Sequence, residues 1–389
     1  MSMLLWVSVL MRATDYVPYK APWTQCPTTS SVRVVWQMGD AVERGVVYYG
    51  LAPDALIDSV VSTAGKMVEG EGYVHTIDLT GLQPFTRYYY TVGNGKRYAT
   101  ICSTKTAPNE GVAWRLFTIS DIHGNSCQIW ENMQDFVTDS LQPDLSVMQG
   151  DLVSDDGTDR LWNQYFFSSG KKFLSQVPVM SSIGNHETGV PQTYRWSNFY
   201  DYFWQFSHGQ ETDSIKDPRG EAYFSFPYGN ALFICFDNTA EPAGIDFSEG
   251  SLFWNWLDET LNTATQPWII LSSHVGIHTT GYHGQWEDGQ TSLDKLLEKY
   301  AARGKRILSL AGDDHSFEHL YKKGVHYLRP GCGRNSNYAQ QTHLDDANYS
   351  MFYKQVSCYS TLDMAADAST IHLTARDSVG NVFYEYDFK

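Results

Sequence analysis

From Ser31 to Ser103 apolar and polar residues alternate in short runs, "SVRVVWQ", "GVVYYG", "YVHTIDL", "RYYYTVG" and "RYATICS", separated by Gly, Asn and Pro. A period of two marks half-buried strands, and turn residues between them leave no room for helices, so this stretch predicts an antiparallel all-β sandwich. After "TKTAPNEG" the texture changes. Apolar runs ("WRLFTIS", "LSVMQG", "VPVMSSIG", "ALFICFD", "PWIILSS", "RILSLAG") alternate with amphipathic stretches such as "SCQIWENMQDFVTDSL" and "TSLDKLLEKYAARG". That alternation predicts a layered α/β domain. The polar linker from Ala107 to Gly111 sets the boundary, giving an all-β domain over residues 1–107 and an α/β domain over 112–389. The opening "MLLWVSVLM" is too short, and lacks the basic flank, for an intact signal peptide; it reads as a first strand. No run reaches the roughly 18 apolar residues of a membrane span.

The polar residues that follow the apolar runs change the picture. "FTIS" is followed by Asp121-Ile122-His123, "LSVMQ" by Gly150-Asp151, "VMSSI" by Gly184-Asn185-His186-Glu187, "IILSS" by His274, and "ILSLA" by Gly312-Asp313-Asp314-His315. In open α/β sheets ligands bind beyond the carboxyl ends of strands, so these residues converge on one crevice. Each alone has an ordinary reading, a turn residue, a helix cap or a satisfied buried histidine. Together they form an Asp/His/Asn set without cysteine, which suits Mn, Fe, Zn or Mg and not a thiolate site. Charge agrees. Lys+Arg 28 against Asp+Glu 44 gives a net charge of −16, which repels nucleic acid phosphates and anionic membranes and favours cations. The six cysteines are scattered with no CxxC pair, and leave disulfide status open.

The ordered series DxH, GD, GNHE, H, GxxH over residues 114–389 resembles the calcineurin-like metallophosphoesterase superfamily. "GLQPFTRYYYTVGNG" resembles the last hairpin of a fibronectin type III module, and "GDDHSFEH" the GHxHxxER motif; both point to the architecture of purple acid phosphatases. The resemblance implies a sandwich of two mixed sheets flanked by helices, preceded by a fibronectin III-like all-β sandwich. Carried over residue by residue, it implies one metal held by Asp121, His123, Asp151 and His315, and a second by Asp151, Asn185, His274 and Asp313. Asp151 would bridge two divalent ions, or an Fe/divalent pair. His186 is then the candidate general acid or phosphate contact, with Glu187 orienting its ring, and His283 is a looser catalytic candidate. Three positions depart from the subfamily. Asp121-Ile122-His123 replaces DxG; Ser154 replaces the tyrosine ligand, so no purple charge-transfer band is expected; and Asp313 replaces a histidine. Three carboxylates with one bridging hydroxide balance two divalent ions, so the site is expected to be less electrophilic and to prefer Mn, Mg or Fe over Zn.

The implied activity is hydrolysis of phosphoric esters by a metal-activated hydroxide, with small-molecule monoesters as the leading substrate class. The alternatives are a phosphodiesterase acting on nucleotide-like or lipid head-group diesters, and a binding protein with a vestigial metal site. The resemblance also implies an exported (secreted or periplasmic) protein whose signal lies outside this chain. The aromatic stretch "TYRWSNFYDYFWQF" reads either as a wall over the crevice or as a core-packed helix, the latter favoured. Arg195 within it is a possible phosphate clamp, and His278 and His319 read as surface or packing residues.

Overall fold

In the computed structural model the described residues are 17–39, 44–62, 65–68, 70–123, 128–154, 157–188, 196–207, 220–239, 245–284 and 290–389. The opening "MLLWVSVLM", Cys127 and Arg195 lie outside them.

Eight strands come first: β1 (Lys20–Gln25), β2 (Ser31–Met38), β3 (Val46–Gly50), β4 (Asp58–Val61), β5 (Lys66–Val68), β6 (Gly72–Thr80), β7 (Arg87–Gly93) and β8 (Cys102–Lys105). They form two antiparallel sheets, ordered β1-β2-β6-β5 and β4-β3-β7-β8. The inward residues of the alternating runs, Val32, Val34, Trp36, Val47, Ile77, Leu79, Tyr90 and Val92, fill the space between them. "RYATICS" departs from the expected strand: pairing there is an isolated bridge at Arg97, and β8 begins only at Cys102.

The outer face of the β1 sheet packs on helical segments of the following domain. Trp23 lies 4.4 Å from Phe167 and the Arg33 guanidinium donates to the Trp204 carbonyl at 2.7 Å; from β8 of the other sheet the Ser103 amide donates to the Ser175 carbonyl at 3.0 Å. At the centre of this contact the fully buried Lys20 ammonium meets the fully buried Asp159 carboxylate at 2.5 Å. Burying that pair removes both charges from water, and Gln37 on the lysine and the Tyr202 hydroxyl on the aspartate add hydrogen bonds to it.

The second part carries β9 (Trp114–Thr118), β10 (Leu145–Met148), β11 (Val179–Ser181), β12 (Tyr223–Tyr228), β13 (Ala231–Phe236), β14 (Trp268–Ser272) and β15 (Arg306–Leu310). They are followed by β16 (Phe317–Lys322), β17 (Val325–Arg329), β18 (Ser350–Lys354), β19 (Cys358–Met364), β20 (Ile371–Asp377) and β21 (Val382–Phe388). One mixed sheet is ordered β11-β10-β9-β19-β20-β21, the other β12-β13-β14-β15-β17-β16-β18. Their facing sides share a core in which Leu116, Val147, Leu362 and Leu373 meet Phe233, Ile270, Leu308 and Leu328. Helices Leu252–Thr263 and Gln290–Ala301 cover the outside of the second sheet through Leu257, Leu261, Leu293 and Leu297. The outside of the first is covered by helix Gln128–Asp135, which runs on as a wider turn to Leu141, and by 157–174 and helix Trp196–Tyr202. Phe199, Tyr200, Tyr202 and Phe203 are buried here in one cluster with Trp162 and Phe166, so this described part of the aromatic stretch is core. Because the parallel strands β9, β10 and β11 in one sheet and β14 and β15 in the other end on the same side, five strand ends face one crevice.

Candidate metal centre

The chain turns sharply where each ligand-type aspartate leaves its strand. Asp121, Asp151 and Asp313 have φ of +51°, +54° and +67°, the left-handed region that asparagine and aspartate tolerate better than most residues. Backbone bonds tie these turns together: the Asp121 amide donates to the Gly150 carbonyl, the His123 amide to the Asp151 carbonyl, and the Gly312 amide to the His274 carbonyl. The glycines are steric requirements. A Cβ on Gly150, itself at φ +77°, would stand 2.6 Å from the Gly184 nitrogen, and one on Gly184 would stand 2.2 Å from an Asp151 carboxylate oxygen.

Glu187 does not orient the His186 ring, as the sequence suggested. Its buried carboxylate accepts four amides, from Gly184 (2.5 Å), Asp151 (2.9 Å), Leu152 (2.5 Å) and Val153 (3.2 Å), and so clamps the GNHE turn to the GD turn. Asp314 likewise faces away from the crevice. It accepts from Arg329 (2.7 Å), Thr279 (2.6 Å) and the His283 amide (2.8 Å), and holds the loop after His274 in place.

The remaining side chains converge. His123 Nε2 lies 3.5 Å from Asp151 Oδ2 and 3.4 Å from His315 Nε2, and His315 Nε2 lies 3.6 Å from Asp121 Oδ1. On the other side of Asp151, His274 Nε2 lies 3.3 Å from Asp151 Oδ1, 2.9 Å from Asn185 Oδ1 and 3.6 Å from Asp313 Oδ1. The two oxygens of Asp151 thus face two adjacent ligand sets. Donor atoms held by a single ion at about 2.0–2.2 Å stand about 3–3.6 Å from one another, which fits these spacings. His186 stacks on His123 with ring centroids 3.8 Å apart, its Nε2 3.8 Å from Asp151 Oδ2, so it also falls within one donor group with those two residues. His283 stands apart. Its exposed ring packs edge-on against Tyr338, and its backbone, not its ring, reaches Asp314.

The chemistry of the set calls for positive charge. Asp121 is 1% exposed and its Oδ1 has no hydrogen-bond partner among the described residues. Burial, helped by Asp151 and Asp313 and only partly offset by His274, pushes its carboxyl well above the ordinary range. Burial depresses His123 to about 3 and His315, with help from Arg334, to about 4, so both rings are neutral, the form that binds metals. The Nδ1 of His315 donates to the Ser336 carbonyl at 2.8 Å, which leaves Nε2 a bare lone pair aimed at the cluster. Burial lowers His274, yet Asp151, Asp121 and Asp313 outweigh it and raise its pKa well above the usual value. A ring proton supplies one charge; cations between the two ligand sets would supply it to every group at once.

Two neighbours escape any sequence pattern. Arg334, in the loop after β17, places Nη1 3.3 Å from both ring nitrogens of His123, and Tyr338 stacks on His315 at 4.7 Å. "GRNSNY" has no period and no motif that would mark either.

Comparison with known proteins agrees with this geometry. Residues 18–106 match the family model of the purple acid phosphatase N-terminal domain, and residues 115–317, more than half of the chain, match that of calcineurin-like phosphoesterases. Among curated relatives, the Arabidopsis thaliana protein named "Probable inactive purple acid phosphatase 27" is 26% identical over 277 residues, covering 64% of this chain and 44% of its own length. "Purple acid phosphatase 22" of Arabidopsis thaliana is 24% identical over 321 residues, covering 78% and 67%. The chain therefore spans less than half the length of the first of these. A purple acid phosphatase, PPD1, from yellow lupin (Lupinus luteus) seeds superposes with a TM-score of 0.78 at 20% identity over 95% of this chain and 75% of its own. PhoD superposes at 0.69 with 14% identity over 97% and 93%. Both share its fold. With two mixed sheets between helices, a preceding β-sandwich and a metal-type cluster at the strand ends, the chain belongs to the calcineurin-like phosphoesterase family, in the two-part architecture of purple acid phosphatases.

Proposed function

We propose that the protein is a two-metal hydrolase of phosphoric esters, with small phosphomonoesters as its substrates. In this reading residues 1–107 form the β domain and residues 112–389 the catalytic domain, and Asp121, His123, Asp151 and His315 hold one ion while Asp151, Asn185, His274 and Asp313 hold the other. The observation that carries it is Asp151, whose two oxygens face separate ligand sets at 3.5 Å and 3.3 Å. Bound divalent ions, or an Fe/divalent pair, would act as Lewis acids at phosphorus and as activators of water. The chain's own part is positioning. Glu187 fixes the turn that presents Asp151, Asn185 and His186. His186, half-buried beside His123, gives a proton to the leaving oxygen as general acid or contacts the phosphoryl group, and His283 is left at the rim as a weaker candidate. Export of the protein belongs to the same reading and rests on the purple acid phosphatase architecture. Among the described residues no helix is long and apolar enough to cross a membrane.

A second reading, a binding protein without turnover whose metal site is vestigial, is favoured by Asp313 standing where the subfamily has histidine, and by relatives whose names call them probably inactive. Turnover of an aryl phosphate and of its bis-ester, each with and without added Mn²⁺, separates the cases. The proposal expects Mn²⁺-dependent monoester cleavage to exceed diester cleavage. Preference for the bis-ester would move the protein to the phosphodiesterases, and no turnover at full metal occupancy would favour the second reading.

A further inference from the structure

We infer that Arg334 is the contact for a phosphoryl oxygen, and that it fits the crevice to a phosphomonoester dianion; this rests on the hydrolase reading above.

The loop carrying it is built into the site. The Ser120 hydroxyl donates to the Gly331 carbonyl at 2.6 Å, the Gly333 amide donates to the Ser120 carbonyl at 2.9 Å, and the Ser357 hydroxyl donates to the Arg334 carbonyl at 2.7 Å. Ser120 precedes Asp121, so the arginine's backbone is fixed to the same strand end as a ligand-type carboxylate. Its guanidinium is half-buried and equidistant from both His123 ring nitrogens. An N–H aimed along one lone pair would be near one nitrogen and far from the other, so this contact sets the charge beside the ring and leaves Nε2 to the cluster.

Three arginines are committed to carboxylates, Arg33 to Asp78, Arg115 to Asp363, and Arg329 to Asp314 and Glu318, and others are spent on structure away from the crevice, Arg87 on the Ser103 hydroxyl and Arg306 on the Ala368 carbonyl. Among the described residues Arg334 has no carboxylate within ion-pair distance. A planar, permanently charged fork with free N–H donors at the mouth of a phosphoesterase crevice is matched to phosphoryl oxygens. Charge gives it a specific task. With Asp313 the cluster carries one more negative charge than a histidine there would allow, which weakens attraction for a dianion more than for a diester monoanion. Arg334 restores that unit of charge. The same loop supplies Tyr338, which meets Tyr282 at 5.1 Å, so an aromatic pair stands at the rim where a flat leaving group would lie.

The test compares Arg334→Ala, Arg334→Lys and wild type on an aryl phosphate and its bis-ester, with metal content measured on each protein. Binding of inorganic phosphate to the Mn²⁺-loaded proteins is read separately by calorimetry. Loss of one or two charge-assisted hydrogen bonds predicts a fall of about 10- to 150-fold in monoester kcat/KM and in phosphate affinity for the alanine variant. The bis-ester should fall several-fold less, lysine should restore part of the loss, and metal content should not change. Equal losses on both esters, or phosphate binding unaffected by Arg334→Ala, would overturn the assignment. Phosphate binding is read without turnover, so an enzyme that cleaves neither ester would sink the hydrolase reading and still leave the Arg334 contact tested.

Discussion

Asp314→Asn is the sharpest probe of how the crevice is held, because the change is one atom in a buried network. Asp314 is 3% exposed and Arg329 2% exposed. Its Oδ2 accepts from Arg329 and Thr279, and its Oδ1 accepts the His283 amide. The Gly281 backbone lies so close that a Cβ there would stand 2.1 Å from the Asp314 carboxyl carbon. In asparagine the least costly orientation keeps oxygen toward Arg329 and turns the amide toward the His283 N–H, donor against donor. The cost is one stranded amide, about 1–3 kcal/mol, plus the loss of one of two carboxylates opposite a buried guanidinium, where breaking a pair outright costs about 3–5 kcal/mol. Glu318, at 2.5 Å from Arg329, keeps the second contribution below that figure. A total of about 3–5 kcal/mol corresponds to a fall in melting temperature of roughly 6–20 °C for a domain of this size. Hydrogen exchange should accelerate at the His283 amide before global unfolding, because the loop is released first. An unchanged melting temperature together with unchanged protection at His283 would refute the reasoning.

Other outcomes follow from the same physics. Lys20→Met removes the Lys20 ammonium from the buried Asp159 carboxylate, which keeps the Tyr202 hydroxyl, and should cost up to about 3–5 kcal/mol in urea unfolding; Lys20→Met with Asp159→Leu should recover much of it, and a single variant as stable as wild type would contradict the docking account. Burial holds His319 at about 3, with His326 adding to the shift, and holds His326 at about 4. The unfolded chain therefore binds protons below about pH 6.5 that the folded chain refuses, and stability falls with acidification by about 1.4 kcal/mol per pH unit for each proton. Denaturant unfolding between pH 7.5 and 5 should show a shallower slope in His326→Phe, and an identical slope would exclude His326 as a source of it. His278 acts in the opposite sense. Burial lowers it, but bonds to Asp294 and Asp346 raise it overall, so its contribution is present at low pH and lost as pH rises through the raised value. Asp313→His should raise Zn²⁺ uptake relative to Mn²⁺ in competition, and an unchanged ratio would show that this position does not select the metal.

The strand ends were legible because apolar runs followed at once by Asp, His or Asn are visible in a single sequence. So was the change from a period of two to alternating strands and helices at the linker. What escaped was polar residues buried by partners distant in sequence. β1 reads as a polar segment, yet Lys20, Thr24 and Gln25 are buried, with Lys20 held by Asp159 and Gln25 bonded to the backbone at Tyr202 and Trp204. β16 hides in the same way, since Glu318 and His319 are fully buried and satisfied by Thr280, Arg329 and Tyr384. Neither shows the alternation that identifies a half-buried strand. Adjacency in the sequence points Glu187 at the His186 ring, but its four partners are backbone amides, which no side-chain pattern reveals. Arg334 and Tyr338 sit in an unpatterned loop whose position depends on the hydrogen bonds to Ser120.

The claim beneath all of this is that Asp151 joins two metal sites. Anomalous diffraction from crystals loaded with Mn²⁺ tests it directly. The account predicts two peaks per chain about 3.5–4 Å apart, one beside each Asp151 oxygen, and the loss of both on Asp151→Ala. A single peak per chain, or peaks away from Asp151, would contradict it.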